Sequence, residues 1–298
     1  MNKKNKLTSG GKAVASLCAT LTVAGLLLLP ASATAQISMA DGGSTATINT
    51  GNTGILGMNN WSVLGQNQLY QQWFWYSSPL VNGGVAQPIN TIGPASVTDN
   101  GYGLEGLNDV TLTYANSQLS VNIEYVLSGN GASSGSADLE EFITIQNPSG
   151  SGQSIDLSFY QYSNFNLLGN NENTVTISGG PGSYTGATQT TGTPGVTSSG
   201  LAEVINGPNA NYAEAAAAGV TLSELSTNAS YTLNGLTSAG PGDVSWAFEW
   251  NATLNPGDTL DITKDKGLSI QIVPEPSTVS LIVLGVGALG LTLRRKSA

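Results

Sequence analysis

The densest group of residues that could recognise a ligand lies between residues 61 and 76, where aromatic side chains are interspersed with Gln and Asn. In a strand, Trp73 and Trp75 share one face and Phe74 and Tyr76 the other, because successive side chains point to opposite faces. Aromatic rings flanked by amides suit sugar stacking and hydrogen bonding to hydroxyls. Trp73, Trp75 and Tyr76 are therefore a candidate carbohydrate-binding group. The alternative is a central strand packed on both sides, where Trp and Phe usually lie.

Carboxylates are the second group with possible chemistry, because two of them ~5–9 Å apart can hydrolyse a glycosidic bond. Glu140 and Glu141 are neighbours in sequence, so a strand would point them to opposite faces. Glu249 lies on the face opposite Trp246 and Trp250 and is expected to be solvated. No pair stands out, and a carboxylate-based glycoside hydrolase is the least favoured hypothesis.

A third group of acidic residues surrounds the turn near residue 256. Oxygen ligands from Asp258, Asp261 and Asp265 could hold calcium, but their spacing is not that of an EF-hand loop. Lys264 and Lys266 stand among these carboxylates and would weaken cation binding. We expect a solvated acidic hairpin here, and no metal site.

Histidine and cysteine, which take part in much of enzyme chemistry, are not expected in the mature body. The chain has no histidine, and its one cysteine, Cys18, lies in the N-terminal apolar segment. Ser-His-Asp and Cys-His catalysis, His-based zinc sites and His-ligated haem are therefore excluded. No phosphate-binding loop or dinucleotide glycine motif occurs either. The sequence predicts a non-enzymatic body with no catalytic residues and no cofactor.

Charge excludes another class of function. The body, residues 37–272, holds two lysines and eighteen acidic residues, for a formal net charge of −16. Such a surface repels phosphate backbones, so we expect no nucleic-acid partner.

The secondary-structure elements that would position these groups are predicted to be short strands. Residues 110–114, 119–127, 139–146, 155–165 and 244–251 show period-two alternation or short apolar runs bounded by turn residues. Residues 260–262 and 268–272 close the body. The fold class predicted is all-β, with an antiparallel β-sandwich as a single large domain. Residues 179–200 are expected to form a long surface loop or a domain boundary, and Tyr212–Ala218 a short helix.

Residues 1–36 have the three parts of a secretory signal peptide. Four lysines precede the apolar run Ala13–Leu29, and Ala33-Thr34-Ala35 is a small-residue cleavage pattern before Gln36. An uncleaved N-terminal membrane helix is the alternative. The export machinery is thus an expected partner.

The C-terminal segment, residues 273–298, also has three parts. Residues 273–278 contain Pro274-Glu275-Pro276, which the prolines hold extended. Residues 279–293 are uncharged, and as a transmembrane helix they would span about 22 Å, short of a hydrocarbon core of roughly 30 Å. Residues 294–298 contain Arg294, Arg295 and Lys296, which should remain cytoplasmic. An ordinary C-terminal anchor is the alternative to a segment read by a processing enzyme.

This three-part tail resembles the PEP-CTERM sorting signal. The resemblance implies recognition of Pro274, Glu275 and Pro276 by exosortase, a membrane enzyme of Gram-negative bacteria that make exopolysaccharide. It implies transient contact with the membrane, sorting to the cell envelope or beyond, and removal of the tail. The body, from the aromatic stretch through residues 243–250 to the closing strands, resembles an uncharacterised group of PEP-CTERM cargo proteins, which implies no activity.

The sequence as a whole therefore predicts an exported, structural protein of the cell surface or exopolysaccharide matrix. Exopolysaccharide is a possible partner. The alternatives are a carbohydrate-binding module that uses the 61–76 stretch and a glycoside hydrolase.

Overall fold

A computed structural model describes residues 36–101, 108–169, 172–192, 198–227 and 231–271. The predicted signal peptide, except Gln36, and the whole C-terminal segment with its predicted transmembrane helix lie outside these residues. Within the described ranges, no helix has the length and apolar character needed to cross a membrane.

The described chain is almost entirely β-structure, with eighteen strands in order along the sequence. The strands are β1 Gln36–Asp41, β2 Ser44–Asn49, β3 Gly57–Val63, β4 Gln66–Asn67, β5 Leu69–Ser77, β6 Gln87–Pro88, β7 Ser96–Asp99, β8 Asp109–Ala115, β9 Ser120–Gly129, β10 Ser136–Gln146, β11 Ile155–Phe165, β12 Asn173–Gly180, β13 Ser183–Gly192, β14 Ser198–Gly207, β15 Tyr212–Ala217, β16 Ser238–Gly242, β17 Val244–Leu254 and β18 Thr259–Gln271. Two short α-helices, α1 Pro79–Asn82 and α2 Val220–Thr227, and 3₁₀ turns at Ile89–Thr91 and Leu167–Gly169 complete the description.

The strands form two antiparallel sheets. The first has the order β1-β2-β3-β5-β11-β17-β15, with β4 beside β3 and β6 beside β5. The second has the order β16-β12-β13-β14-β18-β10-β9-β8-β7. Contacts such as Trp73 of β5 against Tyr114 of β8 join the two sheets face to face. The prediction of an all-β, antiparallel body is confirmed.

Alternation explains why these residues make these strands. In β9, Val121, Ile123, Tyr125 and Leu127 are buried, while the residues between them are partly exposed. One face therefore joins the core between the sheets, and its burial removes apolar surface from water. The same period runs through β10 and β18, which flank each other in the second sheet.

The loop expected over residues 179–200 is wrong. Most of this stretch lies in β12, β13 and β14, which pair with one another in register. The core-facing positions of β13 include Gln189 and Thr191 beside Tyr184 and Ala187. Polar and small residues on the buried face conceal the apolar period on which strand prediction depends.

The helix expected at Tyr212–Ala218 is also wrong, because residues 212–217 form β15, an edge strand paired with β17. Ala213 and Ala215 are buried against the core. This tertiary pairing overrides the helix propensity of an alanine run. The chain becomes helical only after Gly219, in α2.

Candidate functional site: a charge cluster between the sheets

The sorting motif is the first candidate site. Pro274, Glu275 and Pro276 and the basic residues Arg294, Arg295 and Lys296 follow β18, but they lie outside the described residues. The individual roles of these residues therefore remain predictions from the sequence.

Inside the body, the most unusual feature is a group of four charged side chains in the core. We call Glu141, Glu203, Lys264 and Lys266 the charge cluster; all four are buried, with exposures of 0 to 2%. Lys264 and Lys266 are the only basic residues of the body. Charged groups are rarely buried unless they are paired, because leaving water costs several kcal/mol per ion.

Strand register brings the cluster together. β18 lies between β10 and β14, with Lys264 opposite Glu141 on one side and Lys266 opposite Glu203 on the other. All four residues occupy core-facing positions of the second sheet. The lysines thus take two places in a strand whose other core-facing residues, Ile262, Leu268 and Ile270, are apolar.

The charged atoms form a closed set of ion pairs. Lys264 Nζ lies 2.5 Å from Glu141 Oε2 and 3.5 Å from Glu203 Oε1. Lys266 Nζ lies 2.8 Å from Glu141 Oε1 and 3.3 Å from Glu203 Oε1. Two positive and two negative side chains therefore balance one another away from water.

The first sheet contributes neutral partners. Gln72 Nε2 donates to Glu141 Oε1 at 2.6 Å, and Trp246 Nε1 donates to Glu203 Oε2 at 2.8 Å. Gln161 Nε2 donates to Glu203 Oε1 at 2.7 Å, while Gln161 Oε1 accepts from Lys264 Nζ. The Phe74 ring lies 5.0 Å from Lys264 Nζ, a cation–π distance. The charge cluster therefore spans the space between the sheets.

The cluster sets the protonation of its members. Burial raises the pKa of Glu141, but Lys264 and Lys266 lower it by a larger amount, and the resulting pKa is about 2. Burial lowers the pKa of Lys264 to about 8, against the opposing attraction of Glu141. Burial also lowers the pKa of Lys266, but the two glutamates raise it more, so it ends above its ordinary value. Lys264 is thus the more readily deprotonated of the two amines.

The predicted solvated hairpin near residue 258 is correct only in part. Asp258 and Asp261 are exposed, but Lys264 and Lys266 point into the core rather than toward these carboxylates. Glu140 and Glu141 lie on opposite faces of β10, exposed and buried respectively, as the sequence predicts.

The aromatic stretch does not offer its rings to a ligand. Trp73, Trp75 and Tyr76 are 0, 4 and 3% exposed. Trp73 contacts Tyr114, Trp75 contacts Tyr162, and the Tyr76 hydroxyl is 3.3 Å from Thr91 Oγ1. These rings have no free face on which a sugar could stack, because β5 is a central strand covered on both sides. Trp73, Trp75 and Tyr76, the candidate carbohydrate-binding group, are therefore core residues.

A second acidic group, made of the buried Glu214 and the half-buried Glu224, lies against the segment that begins at Tyr231. The Tyr231 hydroxyl is 2.6 Å from both Glu214 Oε2 and Glu224 Oε2. Thr221 donates to Glu214 Oε1 at 2.5 Å. Burial and these two carboxylates raise the pKa of Tyr231. The hydroxyl therefore ties β15 and α2 to the following segment.

Glu249 is buried, not solvated as predicted. Its exposure is 1%, and its Oε2 accepts the Leu233 N–H at 3.0 Å. Burial raises its pKa above the ordinary value. The Leu233 segment covers β17 at this point, and sequence alternation alone gives no sign of this cover.

Open grooves of moderate size lie elsewhere on the described surface. One, of about 390 Å³, is lined by Ser77, Pro79, Asp156, Leu157, Ser158, Tyr231, Thr232, Asn251, Ala252 and Thr253. Another, of about 370 Å³, is lined by residues that include Tyr70, Tyr162, Asn164 and Asp243. Each has a single acidic residue among the described residues of its lining. No group of three or more acidic side chains suited to a metal ion occurs in the described ranges.

Sequence reasoning missed the charge cluster, although one signal was present. Ile262, Lys264, Lys266, Leu268 and Ile270 stand at alternate positions. A single strand through all of them places the lysines on the core face. Reading residues 260–262 and 268–272 as separate strands concealed this.

The fold and site define the body as a two-sheet, antiparallel β protein with a neutralised charge cluster in its core. Residues 273–296 match the family model of the PEP-CTERM protein-sorting motif. The tail is thus a PEP-CTERM signal, which implies processing by exosortase and export to the cell envelope or surface. No curated protein sequence matches the chain.

Solved structures with a similar arrangement share little sequence with this chain. A bacterial glucoamylase complexed with acarbose is 8% identical, with a TM-score of 0.48 over 84% of this chain and 36% of that one. A putative aldose 1-epimerase from Escherichia coli K12 is 7% identical, with a TM-score of 0.43 over 80% and 99%. A galactose mutarotase-like protein from Lactobacillus casei is 10% identical, with a TM-score of 0.41 over 80% and 100%. This chain spans about a third of the glucoamylase. Similarity at this level carries no argument about activity.

Proposed function

We propose that this protein is a structural, non-enzymatic component of the cell surface or exopolysaccharide matrix of a Gram-negative bacterium. The observation that carries the proposal is the PEP-CTERM match at residues 273–296, which directs the chain to the envelope. The N-terminal lysines, apolar run and cleavage pattern of residues 1–36 support export as a secretory signal peptide.

The body supports a structural role through the way it uses its reactive groups. The charge cluster holds both body lysines and two glutamates in mutual ion pairs between the sheets. Glu214, Glu224 and Glu249 are engaged by the segment that covers the first sheet. These groups hold strands and covering segments together, and the outward-facing acidic residues favour solubility in a crowded matrix.

Fractionation of the native host tests this proposal. We expect the protein in the cell-surface and extracellular fractions, shorter than its full sequence, and absent from the cytoplasm. A full-length protein confined to the cytoplasm would contradict it. Release of reducing sugars from the host's own exopolysaccharide by the purified protein would contradict the non-enzymatic part.

A second candidate function is carbohydrate binding in the groove beside Tyr231. Its lining combines the carboxylate of Asp156, the amide of Asn251 and the hydroxyl of Thr253, groups that hydrogen-bond to sugars. Calorimetric titration with oligosaccharides from the host's exopolysaccharide tests this. Asn251→Ala should weaken binding, and Asp261→Ala, on the exposed face of β18, is the matched control. Equal affinities of both variants would exclude this groove.

A further inference from the structure

One contact between the two sheets within the charge cluster joins an amine to a carboxamide. Lys264 Nζ, from β18 in the second sheet, contacts Gln161 Oε1, from β11 in the first. Both side chains have 0% exposure, and they are 103 residues apart in sequence. The Gln161 carbonyl carbon is one bond beyond Oε1, so an amine nitrogen is held against an acyl carbon.

An amine held against a primary carboxamide can replace its nitrogen. We propose that Lys264 and Gln161 form an intramolecular amide bond, with release of ammonia, that joins the two sheets of the folded body. The bond formed is Lys264 Nζ to Gln161 Cδ, and the bond broken is Gln161 Cδ to Nε2. No electrons are gained or lost, so neither an oxidant nor a reductant is needed.

The two glutamates are placed to move the protons that this exchange requires. The Lys264 ammonium gives one proton to Glu141 Oε2, 2.5 Å away, and becomes a nucleophilic amine. After attack, its second proton must reach the departing nitrogen. Glu203 Oε1 is 3.5 Å from Lys264 Nζ and accepts from Gln161 Nε2 at 2.7 Å, so it contacts both the incoming and the leaving nitrogen. It takes the proton from one and donates it to the other, and neutral ammonia leaves.

Charge also balances after the exchange. The starting cluster has two ammonium groups and two carboxylates. The product has a neutral amide, a protonated Glu141, and the Lys266 ammonium 3.3 Å from the Glu203 carboxylate. The buried site is therefore neutral before and after, which avoids an unpaired charge in the core.

The surroundings favour this reaction over hydrolysis. The Phe74 ring lies over Lys264 Nζ, the Trp246 indole N–H donates to Glu203, and all of these side chains are buried, so the site is shielded from water. Holding the reacting groups in contact turns a bimolecular reaction into an intramolecular one. Burial lowers the pKa of Lys264 to about 8, which reduces the cost of moving its proton to Glu141. Loss of the ammonium also removes the main charge that lowers the pKa of Glu141.

The geometry selects Lys264 over Lys266. The contacts of Lys266 Nζ in the cluster are with the two carboxylates, and its pKa is raised, so it remains an ammonium ion. Gln72 donates to Glu141 through Nε2, and its Oε1 accepts no hydrogen bond from the described residues. The role of Lys266 is to balance the carboxylates.

Such a bond would supply what the body lacks. The body has no cysteine, and therefore no disulfide, although it is exported. A bond between β11 and β18 joins central strands of opposite sheets. It constrains the unfolded chain as a disulfide closing a long loop does. This inference is independent of the proposed matrix role, because it concerns the folded body alone.

Peptide mapping of the full chain, purified from an exporting host and left folded, tests the proposal. After denaturation and digestion by an endoprotease that cuts at acidic residues, we expect a peptide containing Gln161 joined to one containing Lys264. Its mass should equal the sum of the two peptides less one ammonia. Intact mass alone is insufficient, because an N-terminal Gln36 left by signal cleavage would also lose ammonia by cyclising.

Trypsin gives an independent reading on the same protein. It cuts after free lysine, so cleavage after Lys264 should be lost and cleavage after Lys266 kept. Lys264→Arg should abolish the joined peptide, and Thr263→Arg, at the neighbouring, partly exposed position of the same strand, should retain it as the matched control. Recovery of separate, unmodified Gln161 and Lys264 peptides from the folded wild-type protein would overturn the proposal. A joined peptide carried by Lys266 or Gln72 would overturn the assignment.

Discussion

Glu141 of β10 and Lys264 of β18 lie opposite each other in register, with Oε2 and Nζ 2.5 Å apart and neither side chain exposed. Before Lys264 is joined to Gln161, each is the other's principal compensation for leaving water. The pair also connects the second sheet to Gln72 and Gln161 of the first. The consequence is that either charge, left alone, becomes an uncompensated ion in the core.

Glu141→Gln should therefore be strongly destabilising. Removing one partner of a buried ion pair costs about 3–5 kcal/mol of unfolding free energy. Glu140→Gln, on the exposed face of the same strand, is the matched control and should change stability by less than about 0.5 kcal/mol. Urea denaturation of both variants measures this, and equal effects would show that the cluster does not stabilise the fold.

Glu249 should make stability depend on pH in the direction opposite to an ion-paired carboxylate. Burial raises its pKa above the ordinary value of 4.5, so the folded protein holds this proton more tightly than the unfolded chain does. From about pH 4.5 up to the raised pKa, stability must fall as pH rises, and the cost of the buried charge persists above that.

Glu249→Gln should remove this penalty and raise the stability of the protein at pH 7. Its amide oxygen can still accept the Leu233 N–H. Unfolding free energies measured from pH 4 to pH 8 for both proteins give the comparison. A variant less stable than the wild type at pH 7 would mean that the ionised carboxylate is stabilising.

Truncation of the aromatic stretch should affect folding. Trp73→Ala removes a fully buried ring that contacts Tyr114 and should cost about 3–5 kcal/mol. Tyr70→Ala, 52% exposed on the same strand, is the control and should cost far less. Thermal denaturation distinguishes them. If Trp73→Ala kept wild-type stability, the assignment of this stretch to the core would be wrong.

Tyr231 should hold its segment against the first sheet. Tyr231→Phe removes the hydroxyl that contacts Glu214 and Glu224, and leaves the buried Glu214 carboxylate without that donor, at a cost of about 1–3 kcal/mol. Hydrogen exchange at the amides of Leu233 and Asn234 should accelerate. Tyr212→Phe, on an exposed side chain, serves as the comparison. If the exchange rates of these amides did not change, the Tyr231 hydroxyl would not be what holds this segment against the first sheet.

Local patterns predicted the strands whose faces are cleanly divided. β11 was predicted with its observed bounds, and β9 and β10 follow their apolar period, because each has one core face. The sequence did not predict strands β13 and β15, for two different reasons. Gln189 and Thr191 carry polar groups on a buried face of β13, and the alanines of β15 favour a helix until pairing with β17 overrides that propensity.

The charge cluster was harder to predict from the sequence than strands β13 and β15. Glu203 precedes Lys264 by 61 residues and Glu141 precedes it by more, and only sheet register makes them neighbours. Burial of an ion depends on partners that local sequence does not reveal. The sorting tail is the reverse case, because its three parts are contiguous and can be recognised without a fold.

The C-terminal signal is expected to deliver the chain to the cell envelope. Intact-mass and C-terminal peptide analysis of the secreted protein, from the native host and from the same host lacking exosortase, tests this most directly. With the enzyme present, we expect the chain to end near residues 274–277, and without it to retain residues 279–298. Ala substitution of Pro274, Glu275 and Pro276 should reproduce the enzyme-free result. The same C-terminus in both strains would contradict the account.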